Sequence, residues 1–274
     1  MLTDYHLHLR PDDPGATAER CFTDENVDRY RSAADHAGIG ELGVSEHVYR
    51  FRQALEVTRH PFWVEQATDD LDAYCGFVRT TPLRLGIEAD YVAGAEDRIA
   101  ALLEDRDFDY VVGSVHLVGD RFVDHAGWDV WAGDPDPDEV WERYFELVAR
   151  AARSGLFDIL GHPDLVKMWG RERPWPQRDL RSHYEPAVEA IGDAGVAVEL
   201  STAGLRKPIG EMYPARELAR MCAEAGAPFA LSSDAHAPEQ VGYEYGRATE
   251  LLRDLGVEEI CAFERRERRL EPLT

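Results

Sequence analysis

Short apolar runs alternate along this chain with longer segments of helical periodicity. The short runs have the length of buried strands, and they are predicted at residues 2–6, 41–45, 84–88, 110–114, 159–161, 197–200 and 229–232. Apolar residues in the intervening segments recur every three or four positions, which is typical of amphipathic helices. These helices are predicted at residues 26–37, 68–80, 96–104, 137–154, 180–194, 214–225 and 245–255, and a last apolar run covers 260–263.

The repeated order of strand and then helix predicts a parallel sheet, which is either closed into a barrel or open and doubly wound. Gly155, Gly195 and Gly226 each follow a predicted helix, where a left-handed residue commonly ends the helix. No linker, internal repeat or domain boundary is evident, so we expect one domain over residues 1–274. The longer connections 48–62 and 118–137 contain aromatic residues, Gly and Pro, and they are candidate lids.

Histidines stand at the ends of most predicted strands. The six are His6, His8, His47, His116, His162 and His236. The acidic residues near them are Asp13, Glu46, Glu88 and Asp234. A closed barrel gathers all its carboxyl strand ends around one mouth, whereas an open sheet would leave the outer ones far apart. The distribution of these residues therefore favours the barrel, and imidazole with carboxylate suits Zn, Mn or Fe bound for hydrolysis.

Composition narrows the classes of function. The formal net charge of −23 argues against nucleic acid as a partner. No apolar stretch is long enough to cross a membrane, and the first residues do not resemble a signal peptide. The four cysteines are widely spaced, as expected of thiols in a reducing cytoplasm. Nothing in the sequence indicates the oligomeric state.

The ordered motifs DYHLH, SEH, GIEADY, VGSVH, ILGHPDLVK, ELSTAGLRK and SSDAH together resemble the PHP (polymerase and histidinol phosphatase) family, in its monofunctional histidinol-phosphatase branch. The resemblance covers most of the chain. It implies a distorted (β/α)7 TIM-like barrel with three divalent metal ions at its mouth. It also implies a cytoplasmic enzyme that hydrolyses L-histidinol phosphate, a small phosphorylated substrate, in histidine biosynthesis.

Carried over motif by motif, the resemblance implies the metal ligands. His6 and His8 would bind one ion together with Glu88 and Asp234. Glu88 would bridge to a second ion held by His116 and His162. The third ion would be held by Asp13, His47 and His236. Asp12 and Asp13 are adjacent, and Asp13 is chosen for its spacing from His8.

The expected chemistry is attack on phosphorus by a hydroxide that bridges two ions, whose bound water has its pKa lowered to about 7. Arg206 is the first candidate for a cationic phosphate clamp, since a guanidinium can donate two parallel hydrogen bonds. Lys167 and Lys207, the only lysines, are further candidates for binding substrate. The leaving oxygen would receive its proton from Asp234, His236 or water.

Other readings remain open. The same centre could hydrolyse another small phosphate ester or a nucleotide, because a fold does not determine the substrate. A non-catalytic PHP module is a third reading, although its expected signature is the loss of metal ligands. The remaining four histidines, His36, His60, His125 and His183, are expected to be structural. Glu46 would be an acid outside the ligand set, and Asp164 would orient His162 or cap the next turn.

Overall fold

A computed structural model describes residues 1–13, 15–104 and 106–273. The strands are β1 (Leu2–Asp4), β2 (Ile39–Val44), β3 (Arg84–Asp90), β4 (Tyr110–Ser114), β5 (Leu117–Val118), β6 (Arg121–Phe122), β7 (Ile159–Leu160), β8 (Ala197–Ser201), β9 (Phe229–Ser232), β10 (Glu259–Glu264) and β11 (Glu267–Pro272). The helices are α1 (Ala18–Cys21), α2 (Asp24–His36), α3 (Pro61–Gln66), α4 (Leu71–Val78), α5 (Glu96–Leu103), α6 (Pro137–Arg153), α7 (Leu180–Ala194), α8 (Arg216–Glu224) and α9 (Tyr245–Asp254).

Seven strands form one parallel sheet in the order β1-β2-β3-β4-β7-β8-β9. Its two edges meet at the carboxyl ends of β1 and β9. There Leu7 forms a parallel bridge with Ala235, and the His8 amide donates to the Ala235 carbonyl at 2.8 Å. The sheet is therefore a nearly closed barrel, and the predicted fold class and all seven predicted barrel strands are confirmed.

The predicted helices are also present, with ends that shift by a few residues. In α6, Asp136 accepts a hydrogen bond from the Asp138 amide and Pro137 occupies the first turn, where its missing N–H costs nothing. Gly195 ends α7 in the left-handed conformation, with φ of 63°. Over the described ranges, no helix combines the length and apolarity that a membrane crossing requires.

Two hairpins were not predicted. β5 and β6 pair as a short antiparallel hairpin in the connection after β4. β10 and β11 pair over six residues each at the end of the chain. In the sequence, the charged run at 264–269 alternates in sign, which predicts the solvent-exposed face of a helix. That interpretation is wrong, because Arg265 and Arg266 adopt positive φ and turn the chain between two strands.

The β10–β11 hairpin closes the amino-terminal end of the barrel. Phe263 is 1 % exposed and packs edge-on against Tyr5, with ring centroids 5.7 Å apart. Tyr110 lies in the same apolar layer, and its ring is so close to β3 that a Cβ on Gly86 would come within 2.2 Å of it. Glycine at this position thus makes room for the aromatic floor. The polar ends of the strands lie at the opposite end of the barrel.

We predict that Phe263→Ala destabilises the protein by about 3–5 kcal/mol, because it leaves a cavity in this floor. Leu270→Ala on β11 is the control, since Leu270 is half exposed and its truncation should change stability by no more than about 0.5 kcal/mol. Urea unfolding of both variants measures the difference. Equal midpoints would show that the hairpin is not part of the barrel's folding unit.

Candidate metal centre

Eight histidines and carboxylates converge at the carboxyl end of the barrel. β1 leads to His6 and His8, β2 to His47, β4 to His116, β7 to His162, and β9 to Asp234 and His236, while Glu88 lies within β3. β1 itself ends at Asp4, yet the bridge at Leu7 keeps the chain extended between the two histidines. Parallel strands place all these residues at one mouth, as the sequence analysis predicted.

Glu88 is at the centre of the cluster and is 1 % exposed. Its Oε1 lies 3.1 Å from His162 Nε2 and 3.4 Å from both His6 Nε2 and His116 Nε2. Its Oε2 contacts His47 Nδ1. One carboxylate therefore faces imidazoles from four different strand ends.

Asp234 and His8 form the second half of the cluster. Asp234 Oδ1 lies 3.2 Å from His8 Nε2 and 3.8 Å from His6 Nε2. The His8 ring lies between His47 and His236, with centroid distances of 4.0 and 4.3 Å. Within the described part of the chain, four sets have ligand atoms within 4.8 Å of one another: His6/His8/Glu88, Glu88/His116/His162, His6/His162/Asp234 and His8/His47/His236.

The chemistry of these donors fits divalent metal ions. Buried polar atoms lacking a hydrogen-bond partner among the described residues include His6 Nε2, both ring nitrogens of His8, His47 Nδ1, Glu88 Oε2, Asp234 Oδ1 and His236 Nε2. Some of these atoms lie close to one another, as Glu88 Oε2 and His47 Nδ1 do, without forming a hydrogen bond. Buried polar groups are normally hydrogen-bonded, and such a concentration of atoms without a hydrogen bond calls for a ligand. Nitrogen and carboxylate oxygen in these sets suit Zn, Mn or Fe.

Charge within the cluster sets its protonation. Burial alone would raise the pKa of Glu88, but His47, His6 and His116 hold it well below its usual value. Burial, His47 and His236 lower the pKa of His8, which leaves its ring neutral. Burial opposes protonation of His116, yet Asp90, Asp124 and Glu88 raise its pKa to about 10. Metal binding must displace that proton, so we expect metal uptake to weaken as pH falls.

Two carboxylates that sequence reasoning missed contact the ring nitrogens that face away from the cluster. Glu199 Oε1 lies 2.7 Å from His6 Nδ1, and its Oε2 accepts from the His162 amide at 2.5 Å. Asp90 Oδ1 lies 2.6 Å from His116 Nδ1. Each carboxylate fixes the orientation of a ring whose other nitrogen faces the cluster. The sequence did carry a signal for Glu199 and Asp90, because each is an acidic residue inside an apolar run that forms a barrel strand.

The structure places the carboxylate of Asp12, rather than that of Asp13, beside the histidines. Asp12 Oδ2 lies 3.3 Å from His236 Nε2, and its Oδ1 lies 4.0 Å from His47 Nε2. Asp13 instead accepts a hydrogen bond from the Gly15 amide at 2.7 Å. Spacing from His8 favoured Asp13, but the turn after Pro11 directs the side chain of Asp12 towards the histidines.

A cavity of about 750 Å³ lies directly above the cluster. His47, His116, His162, Asp234 and His236 form its base, and its walls include Arg10, Tyr49, Arg50, Phe62, Phe122, Asp124, His125, Trp169, Lys207 and Tyr213. Both long connections contribute to these walls. Asp124, which sequence reasoning missed, has a buried Oδ1 without a hydrogen-bond partner in the described parts of the chain.

Arg206 and Lys167 are placed differently from the prediction. Arg206 is not among the residues that line the cavity. Its Nη2 donates to the carbonyls of Ser233 and Asp234 at 2.7 and 3.0 Å. Because Asp234 has a φ of 48°, this guanidinium holds a strained ligand turn.

Lys167 is buried and faces away from the mouth. Its amine donates to the Met212 carbonyl at 2.8 Å and pairs with Asp164 at 2.9 Å. It lines a separate cavity of about 870 Å³ beside α7 and α8. Asp164 occupies the N-cap position of the turn Leu165–Lys167, as expected, but its side chain makes no capping hydrogen bond. That side chain pairs with Lys167 and accepts from the Ala215 amide, and no hydrogen bond joins it to the His162 ring among the described residues.

Lys207 and some of the aromatic residues line the mouth, whereas others lie elsewhere. Lys207 is exposed, lines the mouth and forms no ion pair with any described residue. Five aromatic residues in the loops are candidates from the sequence for a pocket around an imidazole ring, and of these Tyr49, Trp169 and Tyr213 line the mouth. Phe51 is fully buried and Trp175 lines the separate cavity.

The remaining histidines have local roles. His36 Nδ1 lies 2.5 Å from the Ser32 carbonyl, and His183 Nε2 lies 3.1 Å from Asp138. His60 and His125 each accept a hydrogen bond from a backbone amide two residues later. Only His125 of these four lines the mouth.

The chain is similar in sequence to proteins named histidinol-phosphatase. A protein called "Probable histidinol-phosphatase" from Deinococcus radiodurans is 35 % identical over 232 residues, which cover 83 % of this chain and 86 % of that protein. "Histidinol-phosphatase" from Bacillus subtilis is 25 % identical over 60 % of this chain and 66 % of its own length.

A solved structure has the same fold. Histidinol phosphate phosphatase from Lactococcus lactis, complexed with zinc, L-histidinol and phosphate, aligns over 98 % of both chains with a TM-score of 0.70 and 18 % identity. The family model described as "PHP domain" matches residues 19–203. On this match, and on the identity to its relatives, the chain belongs to the PHP family.

Proposed function

We propose that this chain is a metal-dependent phosphomonoesterase that hydrolyses L-histidinol phosphate to L-histidinol and phosphate. The observation that carries the proposal is the cluster around Glu88, whose unpaired ligand atoms face a cavity large enough for a small phosphate ester. The relatives that cover most of this chain are named histidinol-phosphatase, and histidine biosynthesis follows from that activity. Four buried free thiols suit the proposed cytoplasmic location of the single-domain enzyme.

The proposed centre holds three ions. His6, His8, Glu88 and Asp234 are proposed for the first, and Glu88, His116 and His162 for the second. Asp12, His47 and His236 are proposed for the third, with Asp12 replacing Asp13. Bound metal supplies a hydroxide at neutral pH and neutralises charge on the phosphoryl oxygens.

The chain's own residues position the ester and handle its charge. Lys207 is the proposed cation for the phosphate, since it lines the mouth and forms no ion pair with any residue in the described ranges. Arg206 is proposed chiefly to position Asp234, and Lys167 is no longer a candidate. Burial would raise the pKa of Asp234, but His6, His8 and His236 hold it well below its usual value, so this carboxylate has no proton to give. His236, whose side chain is 21 % exposed, or water is the proposed source of the proton for the leaving oxygen.

Asp124 is proposed to recognise the alcohol part of the substrate. L-Histidinol phosphate carries a primary ammonium and an imidazole besides its phosphate. The unpaired Oδ1 of Asp124 offers an acceptor for the ammonium. Phe62, Phe122 and Trp169 offer aromatic faces for the ring at the same wall.

Phosphate release from L-histidinol phosphate, measured beside a panel of small phosphate esters, tests the function. We expect a preference for L-histidinol phosphate that a chelator abolishes and added Zn or Mn restores. His8→Ala should lose more activity than the roughly 10–100-fold typical of residues that only orient a metal ligand. His36→Ala, an exposed histidine remote from the mouth, is the control. If phosphate were released only from other esters, the protein would still be a phosphatase, but the proposed substrate would be contradicted.

Asp12→Asn should lower the metal content by about one ion per chain and reduce kcat/KM by at least roughly tenfold, because it removes a charged ligand. Asp13→Asn is the matched neighbour and should retain the full metal content. Metal analysis of the desalted proteins, with steady-state kinetics, makes the comparison. A larger loss in Asp13→Asn would restore the assignment made from sequence.

Asp124→Asn should reduce kcat/KM for L-histidinol phosphate about tenfold to a hundredfold, the range expected for one hydrogen bond to a charged group. The loss should be much smaller for 3-(imidazol-4-yl)propyl phosphate, which lacks the ammonium. Asp120→Asn in the same loop is the control, since the Asp120 side chain is 86 % exposed. An equal loss with both esters would contradict a role in ammonium recognition.

A further inference from the structure

A buried ion pair lies beneath the loop that carries Asp12. Glu46 and Arg50 have side chains 0 % and 3 % exposed, and Arg50 Nη1 lies 2.6 Å from Glu46 Oε2. Glu46 Oε1 accepts from the Arg10 amide at 3.0 Å, and Arg50 Nη1 also donates to the Arg10 carbonyl. The pair therefore binds both the amide and the carbonyl of Arg10, which lies two positions before Asp12.

The same arginine reaches Asp12 directly. Arg50 Nη2 donates to Asp12 Oδ1 at 2.5 Å, which leaves Asp12 Oδ2 directed at His236 Nε2, 3.3 Å away. The Asp12 side chain is 63 % exposed. Among the described residues its carboxylate approaches the side chains of Arg50, His236 and His47, and the hydrogen bond from Arg50 is the shortest of these contacts. The contact with Arg50 therefore does most to determine where the carboxylate points.

Stability alone is a weak reason to bury such a pair. Desolvation of two charges commonly cancels their attraction, and apolar residues of similar volume often serve as well. Glu46, His47 and Arg50 also come from one short segment that follows β2. That segment thus supplies a proposed ligand, His47, together with both residues that fix a second one.

We propose that the Glu46–Arg50 pair is a positioning device that fixes Asp12 opposite His47 and His236 and thereby sets the affinity of the outermost metal ion. This inference rests on the proposed three-ion centre. Neither residue is assigned a contact with substrate. Their effect on catalysis passes through Asp12.

Arg50→Lys tests the proposal, because lysine keeps the charge but cannot bridge Glu46, the Arg10 carbonyl and Asp12 with two nitrogens. We expect the weakest-bound ion to dissociate about tenfold to a hundredfold more readily, the usual cost of losing a group that orients a metal ligand. Metal titration and metal content after desalting measure this directly. At saturating metal, kcat should return towards that of the unsubstituted enzyme.

A double-mutant cycle separates positioning from general damage. If Arg50 acts through Asp12, Arg50→Lys combined with Asp12→Asn should lose no more metal affinity than Asp12→Asn alone. The double variant Glu46→Gln/Arg50→Gln leaves no buried charge unpaired, and it should show the same loss if it folds with an unchanged circular dichroism spectrum. Arg52→Lys, in an exposed ion pair with Asp70, is the control.

Full metal affinity in both Arg50→Lys and the double glutamine variant would overturn the positioning role. Losses that add to those of Asp12→Asn would overturn it as well. Failure of the proposed function is recognised separately in the unsubstituted protein, which would then bind fewer than three ions or release no phosphate from L-histidinol phosphate.

Discussion

The carboxylate of Glu88 imposes the constraint on which the rest of the site depends. An ionised carboxylate that is 1 % exposed is costly unless positive charge or donors surround it. Here imidazoles from four strand ends provide that surrounding. They can converge only because the parallel strands close into a barrel, so the fold and the charge at its centre depend on each other. Divalent cations satisfy the same carboxylate more completely than the histidines do alone.

Much of the fold was accessible from the sequence because its signals are local. Each barrel strand is a short apolar run between helices of clear periodicity, and the positions of the histidines then favoured closure. The hairpins were less accessible. The β10–β11 hairpin carries charge on its exposed positions. Its register against the barrel depends on the packing of Phe263 against Tyr5, which is a contact between the two ends of the chain.

The centre of the site was also predictable, whereas its periphery was not. Histidines at strand ends have a fixed direction, since a barrel determines where a strand end points. Asp12 and Asp13 lie in a loop, where one residue of difference reverses the direction of the side chain. Glu199 and Asp90 are recognisable only once their partners are known. Lys167 shows the opposite error, because its rarity and its motif suggested the mouth, while its amine is paired with Asp164 and lines the separate cavity beside α7 and α8.

Electrostatics connect the centre with its substrate. The chain carries a formal charge of −23, and carboxylates at the mouth repel a phosphate ester for as long as the histidines alone balance them. Bound divalent ions reverse the local sign, since they are the largest charges in such a site. Attraction of the ester therefore depends on metal being present first. An ammonium on the alcohol part has the opposite requirement, and the proposed group for it is Asp124, which lies at the wall of the cavity with its Oδ2 4.0 Å from His116 Nε2. On the proposed assignments, the mouth would separate two charges of one small substrate, with metal at its base and the Asp124 carboxylate at its side.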